Sequence, residues 1–517
     1  MKKKMKKTLM WVLSICMAAG VFSGCGKTDT AESGIDVSLL GDAGGIELPI
    51  AEKNVTLKCF IETTVSDLED KFLFEAIKDI TGITIEPVVT TAANATQKLQ
   101  MLAASKQLPD IGLCYFQDSD RSSLAENGAL LCITDSLDIM PNVKKLIETD
   151  ETYQKAFEHY SEADGKTYII PSFGIERKIN HCMMYRKDIF DEAGIEMWKD
   201  GEGFYQALKA LKEKYPDCIP FSFKQQFAIV DWLRQQWGLI TDCNIDSTGK
   251  YVSYMTHEQM KDMLDFLRKL YAEGLMDPEF LTTTQASWTS NMTTDNESFV
   301  TFDWVDRMDM FYGTMKETNP EYNLTIANPI GSTGKYLRMN GSNTNSMFIA
   351  NNENAEISAK MADFLMSEAG AKLTTLGIEG TTYDKTEDKI VYKGFENVLP
   401  GTVDLQNSYG MFLAGLSPRF DQESAYFMYT PQVANAQEYA IANDLITEFE
   451  FSANIKDSSD KEKYNNIISD MKKEFEIFAS NYILGKNNAE TAWTDWLAKA
   501  SEIGVSELEK IYIKYVK

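Results

Sequence analysis

The chain has 517 residues, 44% hydrophobic and 25% charged, the balance of a soluble globular protein with room for more than one structural unit. Acids outnumber bases 77 to 51, a formal net charge of −26 that repels nucleic acid and anionic headgroups and sets nucleic-acid binding aside. The acidity itself reads as a solvated surface, not as the mark of a cationic ligand.

Lys2, Lys3, Lys4, Lys6 and Lys7 open the chain, an uncharged stretch runs from Thr8 to Gly24, and Phe22-Ser23-Gly24 precede Cys25. This is the layout of an export segment. An uncleaved anchor is the alternative, but the stretch is near the short limit for spanning a bilayer, about 17 residues. Small residues before a cysteine fit processing better. Cys25 in this setting resembles the lipobox of bacterial lipoproteins, although Leu is more usual there than Phe22. The resemblance implies a signal peptide over residues 1–24 and a diacylglyceryl, palmitate-bearing Cys25 as the new N-terminus. The mature chain would carry a net charge of about −31 and stand on the outer face of the cytoplasmic membrane. No second long apolar run follows.

Residues 25–51 are glycine-rich and poor in aromatics, and are expected to form a flexible tether. Val55, Leu57, Cys59 and Ile61 alternate as in a strand. Ser66 and Glu69 have capping-box spacing ahead of Phe72, Leu73, Ala76, Ile77 and Ile80 at helical spacing, and Gly82 suits a helix end. The run Ile83–Val89 completes a βαβ unit with a parallel sheet. A helix over about 95–106 and a short strand over 110–115 follow. Thr256 and Gln259 form a second capping box before Met260, Met263, Leu264, Leu267 and Leu270. Residues 355–376 read as a helix or broken helix. From about Lys461 the pattern is helical, with Trp493 and Trp496 on the core side.

Of the six cysteines beyond Cys25, none stands in a C-x-x-C pair or beside a histidine, so zinc spacing is absent and buried free thiols are expected. The three histidines form no His-Glu-x-x-His, and there is no Gly-x-Ser-x-Gly. Gly331–Lys335 fails as a phosphate loop because Pro329 and Tyr336 replace required residues. Asp242–Asp246 lacks the glycine and closing glutamate of a calcium loop and reads as a turn. No cofactor or metal is expected.

Several segments in order resemble family 1 extracellular solute-binding proteins, the capture components of ABC importers, most of all the large oligosaccharide-type lipoproteins of Gram-positive bacteria. They are LPDIGLCYFQDSDRSSLAENGALLCITDSLD (108–138), DGKTYIIPSFG (164–174), MMYRKDIFDEAGIE (183–196), LRKLYAEGLMDPEF (267–280), SEAGAKLTTLGIEGTTYD (367–384) and WTDWLAKASEIGVSELEKIYIKYVK (493–517). Residues 385–480 carry little of the likeness. The resemblance implies an α/β, two-lobed, type II periplasmic-binding-protein-like fold with a helical C-terminus. One lobe would take 52–173 and 335–380, the other 174–334 and 381–517. Crossings would lie near 171–174, near 329–345 and after Gly380. It also implies a monomeric non-enzyme that passes a saccharide to a permease. A secreted glycosidase, needing only two carboxylates, and a surface sensor or adhesin are the alternatives.

Sugars present C–H faces to aromatic rings and hydroxyls to polar side chains. Aromatics interleaved with such groups occur around Gln225, Phe227 and Trp232, around Trp288, and over Phe299–Arg307, where Asp303, Trp304 and Arg307 are candidates. Trp237 reads as core. Beyond the strand over 110–115, Tyr115 and Asp118 occupy the place where open parallel sheets hold ligands.

Overall fold

In a computed structural model the described residues are 39–52, 55–116, 118–174, 177–294, 297–338, 346–386, 389–398, 401, 403–424 and 430–516, without the side chains of 118 and 119. Cys25 and the export segment lie outside them. Eight strands build two main sheets: β1 (Val55–Glu62), β2 (Ile83–Thr90), β3 (Ile111–Leu113), β4 (Ile169–Ile170), β5 (His181–Arg186), β6 (Val300–Trp304), β7 (Leu324–Ile326) and β8 (Met347–Ile349). The first sheet runs β2-β1-β3-β8-β4, with β1 parallel to β2 and β3, and β8 antiparallel to β3 and β4. The second is the antiparallel trio β6-β5-β7. Each sheet anchors one lobe of the two-lobed α/β architecture.

The β1–helix–β2 unit forms where the alternating and helical patterns place it. Leu57, Cys59 and Ile61 enter one core, while Phe60 enters a smaller one on the other face of the sheet. The helix Phe72–Thr81 buries Leu73, Ala76, Ile77 and Ile80 and stops at Gly82, φ 72°. The Ser66–Glu69 box does not form. Buried Leu68 draws residues 68–70 into a 3-10 turn, and the helix begins after Lys71. At the second box the cap shifts by one residue: His257 Nδ1 accepts from the Gln259 backbone N–H at 3.1 Å. The stretch 355–376 breaks into helices Ala355–Leu365 and Glu368–Thr375. Cys59, Cys182, Cys218 and Cys243 are buried free thiols, and Cys114 and Cys132 are half-buried ones. Among the described residues no helix is long and apolar enough to cross a membrane.

Two sequence expectations about boundaries change. Within the expected tether, Leu40 is buried and Ile46, Leu48 and Ile50 pack on the first core, so the glycine-rich composition hid a row of apolar anchors. The described residues of 383–416 pack with the first lobe, not the second: Tyr383, Ile390, Tyr392, Val403, Leu405, Met411, Leu413 and Leu416 all enter the first core. The hairpin Tyr383–Thr386/Lys389–Tyr392 turns two tyrosines inward at 6.1 Å between rings, and this is what holds the segment there. Val433, Met471, Phe475 and Trp496 enter the second core, so the third crossing falls between Leu416 and Val433 instead of just after Gly380.

At that passage two crossing segments lie side by side. Phe173 N–H donates to Pro418 O and Phe420 N–H to Phe173 O, each at 2.9 Å. Gly174, at φ +87°, sits where a Cβ would stand 2.6 Å from the Phe420 carbonyl oxygen.

Within the first lobe, Asp363 pins the helix Pro141–Thr149 from beneath. It accepts from Asn142 N at 3.1 Å, Asn142 Nδ2 at 2.8 Å and Val143 N at 2.9 Å. Burial pushes its carboxyl up to about 6, against the pull of these three bonds. Without the carboxyl, the Asn142 and Val143 N–H groups would lose their acceptor, and a buried donor left unpaired costs about 1–3 kcal/mol. Asp363→Ala is expected to lower stability by about 2 kcal/mol or more in urea unfolding; an unchanged midpoint would show that these bonds contribute nothing net.

Candidate functional site

The wall of the second lobe is set by the β5–β6 ladder, which places His181 opposite Trp304 and Cys182 opposite Asp303. Asp303 is fully buried. Its Oδ2 accepts from Gln225 Nε2 at 2.7 Å and pairs with Lys224 Nζ at 3.3 Å. Its Oδ1 accepts from the Trp304 backbone N–H at 2.6 Å and from Arg307 Nε at 3.3 Å. A buried carboxylate is tolerable only when its lone pairs are filled in this way. Arg177, also buried, donates to Asn180 Oδ1 at 2.9 Å and faces Asp306 at 3.8 Å.

Beside this cluster His181 lies between two indoles, 4.2 Å from the Trp232 ring and 5.3 Å from the Trp304 ring. Burial first, then Arg177, Arg307 and Lys224, push its imidazole down to about 4, so it is neutral at physiological pH. Burial likewise lowers the Lys224 ammonium from its ordinary value, against the pull of Asp303.

The opposing wall comes from the first lobe. A cavity of about 370 Å³ lies between Asp306, Arg307 and Met310 on one side and Val403, Asp404, Gln406 and Phe412 on the other. Gln406 ties that wall to the C-terminal end of β1. It accepts from Thr63 Oγ1 at 3.1 Å and donates to Phe412 O at 3.0 Å. Nearby, Tyr115 donates to Glu62 Oε2 at 2.7 Å, and burial with that carboxylate pushes its phenol up to about 12. The edge where β1 and β3 end therefore faces the second lobe, as expected for an open parallel sheet.

The structure brings together Trp304, Asp303, Gln225, Arg307 and Trp232, all singled out from sequence. Trp304, Gln225, Trp232 and Arg307 are half-buried, and of these Arg307 lines the cavity. Asp303 has no exposed surface, so it organises its neighbours and is not itself a free ligand contact. Trp288 is a correction. It is fully buried, donates Nε1–H to Thr301 Oγ1 at 3.0 Å, and packs edge-on against Phe311. Phe227 is half-buried on the core, 6.4 Å from the Phe475 ring. Asp118 opens the helix Asp118–Glu126, but its side chain lies outside the described residues. Sequence reasoning missed His181, Lys224 and the stretch 403–412. Lys224 adjoins Gln225, and His181 heads a strand two residues before the recognised Met183, so position alone marked both. Asp246 Oδ1 accepts from Thr248 N, Thr248 Oγ1 and Lys250 N, which closes the turn read there.

Asp309, one helical turn beyond Asp306, is buried, and burial pushes its carboxyl up to about 6 from 3.8. Between those values the native state holds a proton that the unfolded chain has released, so stability falls as pH rises through that window and stays lower above it. Asp309→Asn is expected to raise the melting temperature at pH 7.5 and leave it nearly unchanged near pH 4. A fall at pH 7.5 would mean that the carboxylate is needed as a charge partner for Arg177.

The model of the bacterial extracellular solute-binding protein family matches residues 73–389. Lipoprotein LipO of Bacillus subtilis (strain 168) is 23% identical over 343 residues, 64% of this chain and 62% of that protein, so the match spans less than two thirds of LipO. The polygalacturonan/rhamnogalacturonan-binding protein YtcQ of the same strain is 24% identical over 355 residues, 64% of this chain and 68% of that one. Among solved structures, the alginate-binding protein AlgQ2 without calcium ion superposes with a TM-score of 0.72 at 19% identity, over 90% of this chain and 98% of that one. At that identity the likeness speaks to the fold.

Proposed function

From the premise that the chain belongs to the bacterial extracellular solute-binding proteins, we propose that it captures a saccharide between its lobes and delivers it to an ABC permease. The carrying observation is the cavity between the lobes, lined by Arg307 on one side and Gln406 on the other, with the half-buried Trp304 held through its backbone N–H on the same buried Asp303 that Arg307 bonds. An indole fixed in this way offers a flat face for sugar C–H groups. Gln225 and Arg307 beside it, and Gln406 across the cavity, supply directional partners for hydroxyls. The sugar polymers in the names of YtcQ and AlgQ2 support the same chemistry.

The physical cycle follows from contact with both walls. A ligand that touches Trp304 on one lobe and Gln406 on the other only when the lobes are shut stabilises the shut state by that differential contact. It leaves unaltered when the permease draws the lobes apart. The Cys25 lipid holds the monomer at the outer face of the membrane, where two acyl chains anchor far better than one; the likeness to LipO supports this.

Trp304→Ala is expected to weaken saccharide binding by about 1 kcal/mol or more, roughly fivefold, with the melting temperature of the free protein preserved. Unchanged affinity would remove Trp304 from the site, and new reducing ends on incubation with an oligosaccharide panel would replace capture by hydrolysis. Cys25→Ala is expected to move the protein from the membrane fraction into the medium of the producing cell.

A further inference from the structure

We propose that the cleft has a second, distal subsite where the helix Ser458–Ile483 of the second lobe faces the first lobe, and that it holds further units of a chain-like saccharide. The proposal rests on the saccharide reading above. Two cavities, of about 300 Å³ and about 270 Å³, adjoin there, and Lys461 and Asn465 line both. Sites for small molecules begin at about 300 Å³, so the adjoining pair, and not the smaller cavity alone, is large enough for a stretch of a saccharide chain.

The floor of this region is built from buried, paired groups. Glu162, 7% exposed, accepts from Arg121 Nε at 2.7 Å and Ser122 Oγ at 2.6 Å, and pairs with Lys461 Nζ at 3.5 Å across the lobes. Lys461 also donates to Ser122 Oγ at 2.7 Å, and Asn454 Nδ2 donates to Ser161 O at 3.0 Å, again from one lobe to the other. Above that floor stand rings: Tyr160 lines the smaller cavity, as does His159, which stacks on Phe451 at 4.6 Å. Ring faces beside an amide and fixed charges repeat the chemistry found at Trp304.

A row of contacts joins the two ends along the second lobe. Trp304 meets His181, and His181 meets Trp232. Asp231, next in the chain, pairs with Arg234 at 3.4 Å, and Arg234 reaches Thr241 O at 3.4 Å. The adjoining Asp242 accepts from Tyr464 at 3.0 Å, and both line the smaller distal cavity. The two regions therefore belong to one continuous body of packed and paired groups in the second lobe.

The test is a chain-length series. Wild type, Tyr160→Ala, Asn465→Ala and Trp304→Ala are titrated calorimetrically with fructans, mannans and galacturonates of about two to eight units, with melting curves as fold controls. In the series that binds, wild-type affinity is expected to climb with length. Tyr160→Ala and Asn465→Ala should lose about tenfold on the longest member and less than about twofold on the shortest, whereas Trp304→Ala should lose affinity at every length. Affinity independent of length in the wild type, or equal losses at both lengths in the distal variants, or none, overturns the subsite. If Trp304→Ala still weakens every member, that outcome leaves the saccharide reading standing. Failure of the wild type to bind any of the three series overturns both.

Discussion

The carboxylate of Asp303 is the contact on which the site depends. It has no access to water, and an isolated ion in that position would cost several kcal/mol. The cost is offset because four donors converge on it: Lys224, Gln225, Arg307 and the N–H of Trp304. Those donors come from a loop, a strand end and the start of a helix. One buried charge thus sets the relative positions of three elements and, with them, the angle at which the Trp304 ring leaves the wall. Loss of any one donor leaves the others holding an under-compensated ion, so the cluster behaves as a unit.

Much of the first lobe was legible in the sequence. The period of two over 55–61, the helical period over 72–80 and Gly82 left little choice but β-helix-β, because burial of those side chains drives the pattern. The site was legible in part. Trp288 and Trp304 have similar polar neighbours in sequence, yet one is core and one is on the wall. The difference is secondary structure: Trp288 lies on the helix Gln285–Thr293 with Met292 one turn on along the same buried face, while its polar neighbours point away. Trp304 ends a strand whose preceding residues are buried. Residues 383–416 could not be assigned to a lobe from local pattern, since both lobes are discontinuous and only a long-range contact decides.

The two lobes also differ in construction. The first is a mostly parallel sheet with apolar cores on both faces, and it presents strand ends to its neighbour. The second is a three-stranded antiparallel sheet under a thick cover of helices and aromatic rings, and it presents a side wall. The polar groups of the cleft therefore come from strand termini and loops on one side and from a side-chain cluster on the other. The first kind is held in place by the sheet; the second is fixed by the ion network described above.

The pairing of Phe173 with Phe420 across Gly174 has its own mechanical consequence. Two of the strips joining the lobes are stitched together through their backbones, and a carbonyl fills the space that any larger residue at 174 would need. Such a seam resists splaying and shear and permits mainly flexing along its length, as leather does along a fold. Neither strip can shift along the other without breaking those bonds, so any bending at this junction has to carry both together.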